Sequence, residues 1–312
     1  MWVAGDLLRL GDETLAARRF GEAASIYLRA YQAARARSAA GEEVIALSQL
    51  ALAHLANGNT PLAGLWLDRA ARAADPGLPR AWACFLRARA RWERSRGAHA
   101  LALCSWQEAF ACALAADAFS EAADLALSLS VHAPSDRQLD WARTALATAL
   151  HAAASKEAGS PICLAPFWEN LAWAYSSAGR HLEALGAFHG ARRAQALSDD
   201  ARVRIRADLH VGRAYRLAGQ PNTALGWLRE TESWLLTLLA AAPDEVAAIL
   251  LMAETRLELA ECCLAAGRKA QALALLASSE RLSASTPPEA CGRASALQAK
   301  VAARLAGVVA AG

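Results

Sequence analysis

The sequence predicts an all-α protein built as a tandem array of helix pairs. Three observations carry this. Alanine dominates the 55% of residues that are hydrophobic, and β-branched residues are few, so the composition favours helix over strand. Gly and Pro mark the breaks between long helix-favouring runs. A pattern of small and large apolar residues returns along the chain, its lead positions 10, 50, 89, 129, 171, 211 and 259 separated by 40, 39, 40, 42, 40 and 48 residues. Essentially no strand is expected.

The copies follow in order. The first carries Leu10, Gly11, Thr14, Ala23, Tyr27 and Ala30, and the second Leu50, Ala51, His54, Gly58, Ala63, Leu67 and Ala70. The third, led by Arg89, keeps Ala90, Gly97, Ala102, Trp106 and Ala109, and the fourth keeps Leu129, Ala133, Ala142, Leu146 and Ala149 with Pro134-Ser135-Asp136 at its turn. The fifth, FWENLAWAYSSAGRHLEALGAFHGARRA, is the most complete, with Leu171, Ala172, Tyr175, Gly179, Ala184, Phe188 and Ala191. The sixth has Val211, Gly212, Tyr215, Gly219, Ala224 and Leu228, and the seventh Leu259, Ala260, Cys263, Gly267, Ala272 and Leu276. Each copy reads as two helices joined at a break. The small residues stand where the second helix must approach the first closely, and the large residue one turn later fills the space beside that contact. Beyond Pro287-Pro288, the helical spacing of Ala294, Leu297, Val301 and Leu305 predicts a helix that caps the last copy. The expected organisation is a solenoid over 1–286, with a capping helix and short tail over 287–312.

This frame resembles the tetratricopeptide repeat family over about residues 6 to 283. The resemblance implies a right-handed superhelical solenoid of seven tetratricopeptide-like helix pairs plus the C-terminal capping helix. A repeat near 40 residues is similar to the long variant of kinesin light chains, spindle-orientation adaptors and peptide-sensing bacterial regulators.

Composition narrows the function classes. Net charge is +3, too mild to imply nucleic acid. The longest apolar run, WLLTLLAAAPDEVAAILLM, is cut by Pro243, Asp244 and Glu245, so no membrane insertion is expected, and the opening MWVAGDLLRLGDE lacks the blocks of a secretory signal. Seven Cys without a C-x-x-C pair read as small buried hydrophobes in a reduced, cytoplasmic setting. No phosphate loop, zinc-protease helix, nucleophile elbow or calcium loop is present. The seven His share no helix at i, i+4. Hence no catalytic residue, metal or cofactor is expected, and the chain reads as a non-enzyme. Glu42-Glu43, Asp136, Asp199-Asp200 and Asp244-Glu245 read as acids at helix starts, where they offset the helix dipole.

What remains is binding of another protein. The resemblance implies that the first helix of each pair lines a concave groove, where an Asn before the lead residue hydrogen-bonds a bound peptide's backbone. Asn170 holds that place before Leu171, Gln49 and His210 hold it before Leu50 and Val211, and Ser128 and Glu258 hold it elsewhere. Trp173 is expected in the groove beside Asn170, as an anchor. Arg87, Arg91 and Arg94 on one first helix, and Arg206, Arg213 and Arg216 on another, are expected to face inward and to suit an acidic or carboxylate-bearing peptide. A solvated face with pairing to Glu93, Glu108 or Asp208 is the plainer alternative. The family's carboxylate-clamp pattern is kept at Asn170, Arg206 and His210 and lost at Leu127 and Val131. The reading is therefore a scaffold or adaptor that holds a peptide segment of a partner. A peptide-sensing regulator that signals through a partner is the alternative, a helical enzyme a remote one. Homo-oligomers through the solenoid ends stay open.

Overall fold

The structure, a computed structural model, describes residues 3–155, 163–196, 198–284, 299, 302–304 and 306–307. Among the described residues there is no strand. The chain packs as two compact units, Met1–Ile162 and Cys163–Gly312. The first holds four helix pairs: α1 (Ala4–Ala16) with α2 (Phe20–Ala36), α3 (Ala40–Ala56) with α4 (Thr60–Ala73), α5 (Pro79–Ser95) with α6 (His99–Ala115), and α7 (Phe119–His132) with α8 (Ser135–Ser155). The second holds three: α9 (Ala165–Ser177) with α10 (His181–Gln195), α11 (Ala201–Leu217) with α12 (Pro221–Ala241), and α13 (Val246–Ala265) with α14 (Lys269–Ala284). Every lead residue of the frame lies in the first helix of its pair. The cap positions Ala294, Leu297, Val301 and Leu305 lie outside the described residues. Arg304, in the same stretch, bonds the Glu261 carboxylate on α13 at 2.7 and 2.9 Å.

The turns explain the glycines. Gly58, Gly97, Gly179, Gly219 and Gly267 all have φ between 71° and 80°, a left-handed conformation that costs a residue without Cβ nothing. In each case the next N–H donates to the carbonyl five residues back, as Asn59 does to His54 at 2.9 Å and Gln220 to Tyr215 at 2.9 Å. This closes the helix end and satisfies a carbonyl that would otherwise be orphaned. The first pair makes the same turn with Arg18 at φ 60°. The fourth turns instead through Ala133-Pro134, with no residue in the left-handed region.

Between the helices of a pair, the large residue of the second helix lies over the small residue after the lead in the first. A Cβ built on Gly11 would stand 2.4 Å from the Tyr27 ring, and one on Gly212 2.7 Å from Leu228. Gly190 likewise lies under Trp168, where a Cβ would be 2.6 Å from the indole. Tyr27, Trp106, Phe188 and Leu228 are all buried. The cysteines divide: Cys84, Cys262 and Cys263 are buried, Cys112 is half-buried, and Cys104 and Cys163 are exposed. The expectation of uniformly buried cysteines is thus corrected, because Cys104 and Cys163 fall on positions that no neighbouring helix covers. Cys291 lies outside the described residues.

Successive pairs are tied by polar bonds as well as apolar contact. Glu258 on α13 is buried and accepts from Arg213 Nε at 2.6 Å and Arg216 Nε at 2.8 Å, both on α11. Burial alone would raise its pKa, but the two guanidinium groups outweigh that and hold the carboxyl below its ordinary value. At helix starts, Asp200 caps α11 by accepting the Arg202 N–H at 2.9 Å, whereas Glu245 at the start of α13 makes no cap bond and pairs with Arg202 instead.

Gly190→Ala should cost about 1–3 kcal/mol through overpacking against Trp168. On the same helix Gly186 has open space around it, so Gly186→Ala should stabilise by about 0.4–1 kcal/mol. Urea denaturation of the two variants checks both signs. Replacing Arg213 and Arg216 together by Met leaves Glu258 a buried, unpaired charge and should cost about 3–5 kcal/mol at neutral pH. With its pKa depressed, wild-type Glu258 contributes its stability above the unfolded carboxylate value and loses it as pH falls through the lower folded value. In the double variant only burial remains and the pKa is raised, so the deficit should shrink as pH falls toward about 4. Unfolding curves across that range test it.

Candidate functional site

The residue before each lead and the one two after it are three apart, so they share one face of the first helix. On that face successive first helices meet. Gln49 donates through Nε2 to Asp12 Oδ1 at 2.7 Å, and its Oε1 accepts from Arg87 Nη2 at 3.2 Å. Asp12 also accepts from the Tyr27 hydroxyl at 2.6 Å. His210 lies edge-on to Trp173, ring centroids 5.2 Å apart. Glu258 takes Arg213 by the same step. The position that the frame singles out for ligands is therefore also the place where consecutive pairs join.

In the first unit this divides the three arginines. Arg87 sits among Asp12, Gln49, Cys84, Glu121 and Asp124 and is committed to the packing, its Nε buried without an acceptor. Burial raises the Asp12 carboxyl above its usual range, against the lowering effect of Tyr27, Arg87 and Gln49. Arg91 and Arg94 are exposed. They line an open cavity of about 430 Å³ with Leu55, Ser95, Trp106, Ser128 and His132. Arg94 Nη1 lies 3.0 Å from His132 Nε2, and Arg91, with no ion pair among the described residues, feels Asp124 only through its field. Glu93 is turned away, accepting from Arg89 at 2.8 Å and Ser105 at 2.8 Å. Glu108 accepts from Trp82 at 3.0 Å.

In the second unit the arginines are largely consumed. Arg213 and Arg216 are held by Glu258, and Arg213 also stands 5.7 Å over the Trp173 ring. The expected open basic set is thus corrected for these two, since a buried carboxylate 42 to 45 residues away pairs with both. Arg206 is half-buried, with Nε lacking an acceptor. Asn170 is half-buried on α9, and Trp173 is 36% exposed while packing edge-on against Phe188 at 5.0 Å. His210 Nδ1 is 3.5 Å from Glu169 Oε1, which also accepts from Gln195 at 3.2 Å. Burial acts to raise Glu169, but His210 and Gln195 outweigh it and lower the carboxyl. Asp208 accepts from Arg192, beside a separate cavity of about 330 Å³ lined by Ile205, Glu230 and Trp234.

Sequence reasoning missed Asp12, Glu169, His132 and the role of Glu258. The signal for Asp12 and Glu258 was present, as a charged residue two after one lead opposite a polar residue before the next. His132 carried no such signal. Among the described residues no group of His, Cys, Asp and Glu could hold a metal ion, and no helix is long and apolar enough to cross a membrane.

No protein-family model and no curated protein matches the sequence. Solved structures do. A signal transduction ATPase with numerous domains and a tetratricopeptide repeat sensor, from Pyrococcus horikoshii, matches with a TM-score of 0.67 at 13% identity, over 88% of this chain and 40% of that one. The quorum sensor NprR from B. thuringiensis, in its apo form, matches with a TM-score of 0.58 at 12% identity, over 95% and 79%. BtubC (BKLC) from P. vanneervenii gives 0.56 at 16%, over 70% and 92%. At these identities the likeness is one of fold. In fold, then, the chain is a tetratricopeptide-like solenoid of helix pairs.

Proposed function

We propose that this chain is an interaction scaffold that holds an acidic or carboxylate-bearing peptide segment of another protein on its first-helix face. The observation that carries the reading is the cavity of the first unit, where Arg91 and Arg94 stand open with no carboxylate lining it. Arginine forks bind carboxylate or phosphate oxygens bidentately, and Leu55 and Trp106 supply an apolar wall for a neighbouring side chain. Asn170 and Trp173 on α9 are the corresponding candidates in the second unit, an amide for peptide backbone and an indole for an apolar anchor. The six cysteines among the described residues are free thiols, which suits a reducing compartment such as the cytoplasm.

A second reading, a peptide-sensing regulator that signals through a partner, is favoured by the likeness in fold to a quorum sensor and to a repeat sensor. Both readings put a peptide on the same face and differ in whether binding changes a partner's activity. An array of acidic, basic and neutral peptides, followed by fluorescence anisotropy, tests the shared step. Acidic peptides should bind, more weakly as salt rises, and Arg91→Ala with Arg94→Ala should weaken them by about tenfold or more. Equal binding of all three classes, or an unaffected double variant, would sink the proposal.

A further inference from the structure

We propose that Arg91, Arg94 and His132 form a proton-coupled oxyanion site, in which an anion draws the Arg94 guanidinium from His132 and a proton from solvent arrives on the freed His132 Nε2. This rests on the reading that the cavity takes the acidic part of a peptide, and adds how its occupancy is regulated.

The geometry begins with Arg94. A guanidinium has five N–H donors and no acceptor. Its 3.0 Å contact therefore makes His132 Nε2 the acceptor and places the ring proton on Nδ1, so His132 is neutral in the free protein. The ring lies nearly flat on Trp106, centroids 4.9 Å apart and planes at 23°, which fixes the direction in which Nε2 points. The Trp106 N–H is buried with no acceptor. The cavity is thus rich in donors and positive charge, and the one ring acceptor among its described lining residues is already engaged.

The charged groups around His132 come from neighbouring helices as well as its own. The strongest influences are Arg94 and Arg91 from α5, the Val131 backbone on α7 itself and His99 from α6, while α8 opens a few residues on with Asp136 and Arg137. Burial, Arg94, Arg91 and His99 push its pKa down and outweigh the Val131 hydrogen bond, which pushes it up. An anion reverses the balance. Its charge offsets the two arginines, and its oxygen offers Nε2–H an acceptor, so the bound state favours imidazolium. Binding then takes up a proton, and affinity falls as pH rises from the depressed free pKa to the raised bound one, by at most about tenfold per pH unit.

Sulfate is the probe, because its charge stays constant across the histidine range. Titration calorimetry of the full chain in two buffers of different ionisation enthalpy measures the protons taken up, with chloride at matched ionic strength as reference. Imidazole NMR follows His132 with and without sulfate. The expected result is proton uptake on binding, an upward shift of the His132 titration, and loss of about tenfold or more in affinity for Arg91→Ala and for Arg94→Ala. His132→Gln keeps an acceptor for Arg94 but cannot titrate, so it should bind sulfate with no proton uptake and a flat pH profile. Absence of sulfate binding, binding without proton uptake, or pH dependence retained in His132→Gln would overturn the proposal. Sulfate bound with proton uptake while acidic peptides fail would leave this site standing and remove the peptide reading; acidic peptides bound without proton uptake would do the reverse.

Discussion

The structure depends on the close approach of two helices at an alanine or glycine. An alanine-rich helix removes little apolar area from water per residue, at about 25 cal/mol per Å², so it gains stability only when many backbones pack near one another. Gly11 under Tyr27, Gly190 under Trp168 and Gly212 under Leu228 are where this approach is tightest. Each pair still exposes an apolar face that only the next pair covers, so the repeats must stack. Spacing, turn type and the placing of large residues all follow from that requirement.

For this reason the fold was legible in the sequence. The frame places a residue eight after the lead at the turn, and that position takes the left-handed conformation at Gly58, Gly97, Gly179, Gly219, Gly267 and even Arg18. Only a few residue types tolerate that backbone well, so the glycines are a direct record of geometry. The fourth copy lacks the glycine, and its Pro134 turn is a different structure. Exposure of Cys104 and Cys163 was less legible, because a small side chain fits a covered or an uncovered position alike.

The candidate site was legible only in part. Helical phase groups Arg87, Arg91 and Arg94, and likewise Arg213 and Arg216, on one face of their helices, but charge availability depends on a partner in the next pair. Arg213 and Arg216 meet a buried Glu258, and Arg87 meets Gln49, whereas Arg91 makes no ion pair among the described residues and feels Asp124 only through its field. These differences rest on a single side chain about one repeat away, and no local pattern records them. His132 is harder still, since its role comes from Arg94 and Trp106 on two other helices.

The joints between pairs give the distinction a physical basis. The positions two after one lead and one before the next are filled by Asp12 with Gln49, Trp173 with His210, and Arg213 with Glu258. Each is a polar or aromatic contact that stabilises the stack; the two polar ones leave a ligand little to gain, whereas Trp173 keeps part of its ring exposed. At the remaining polar joint, Arg91 stands opposite Ser128, and both line the same cavity. Ser128 spends its hydroxyl proton on the Asp124 carbonyl at 3.0 Å, and a neutral hydroxyl cannot balance a guanidinium. A ligand oxyanion placed there would take the part that Glu258 plays for Arg213, with no ion pair of Arg91 to break first among the described residues. Repetition of one joint thus separates the arginines that hold the solenoid together from those left to bind something else.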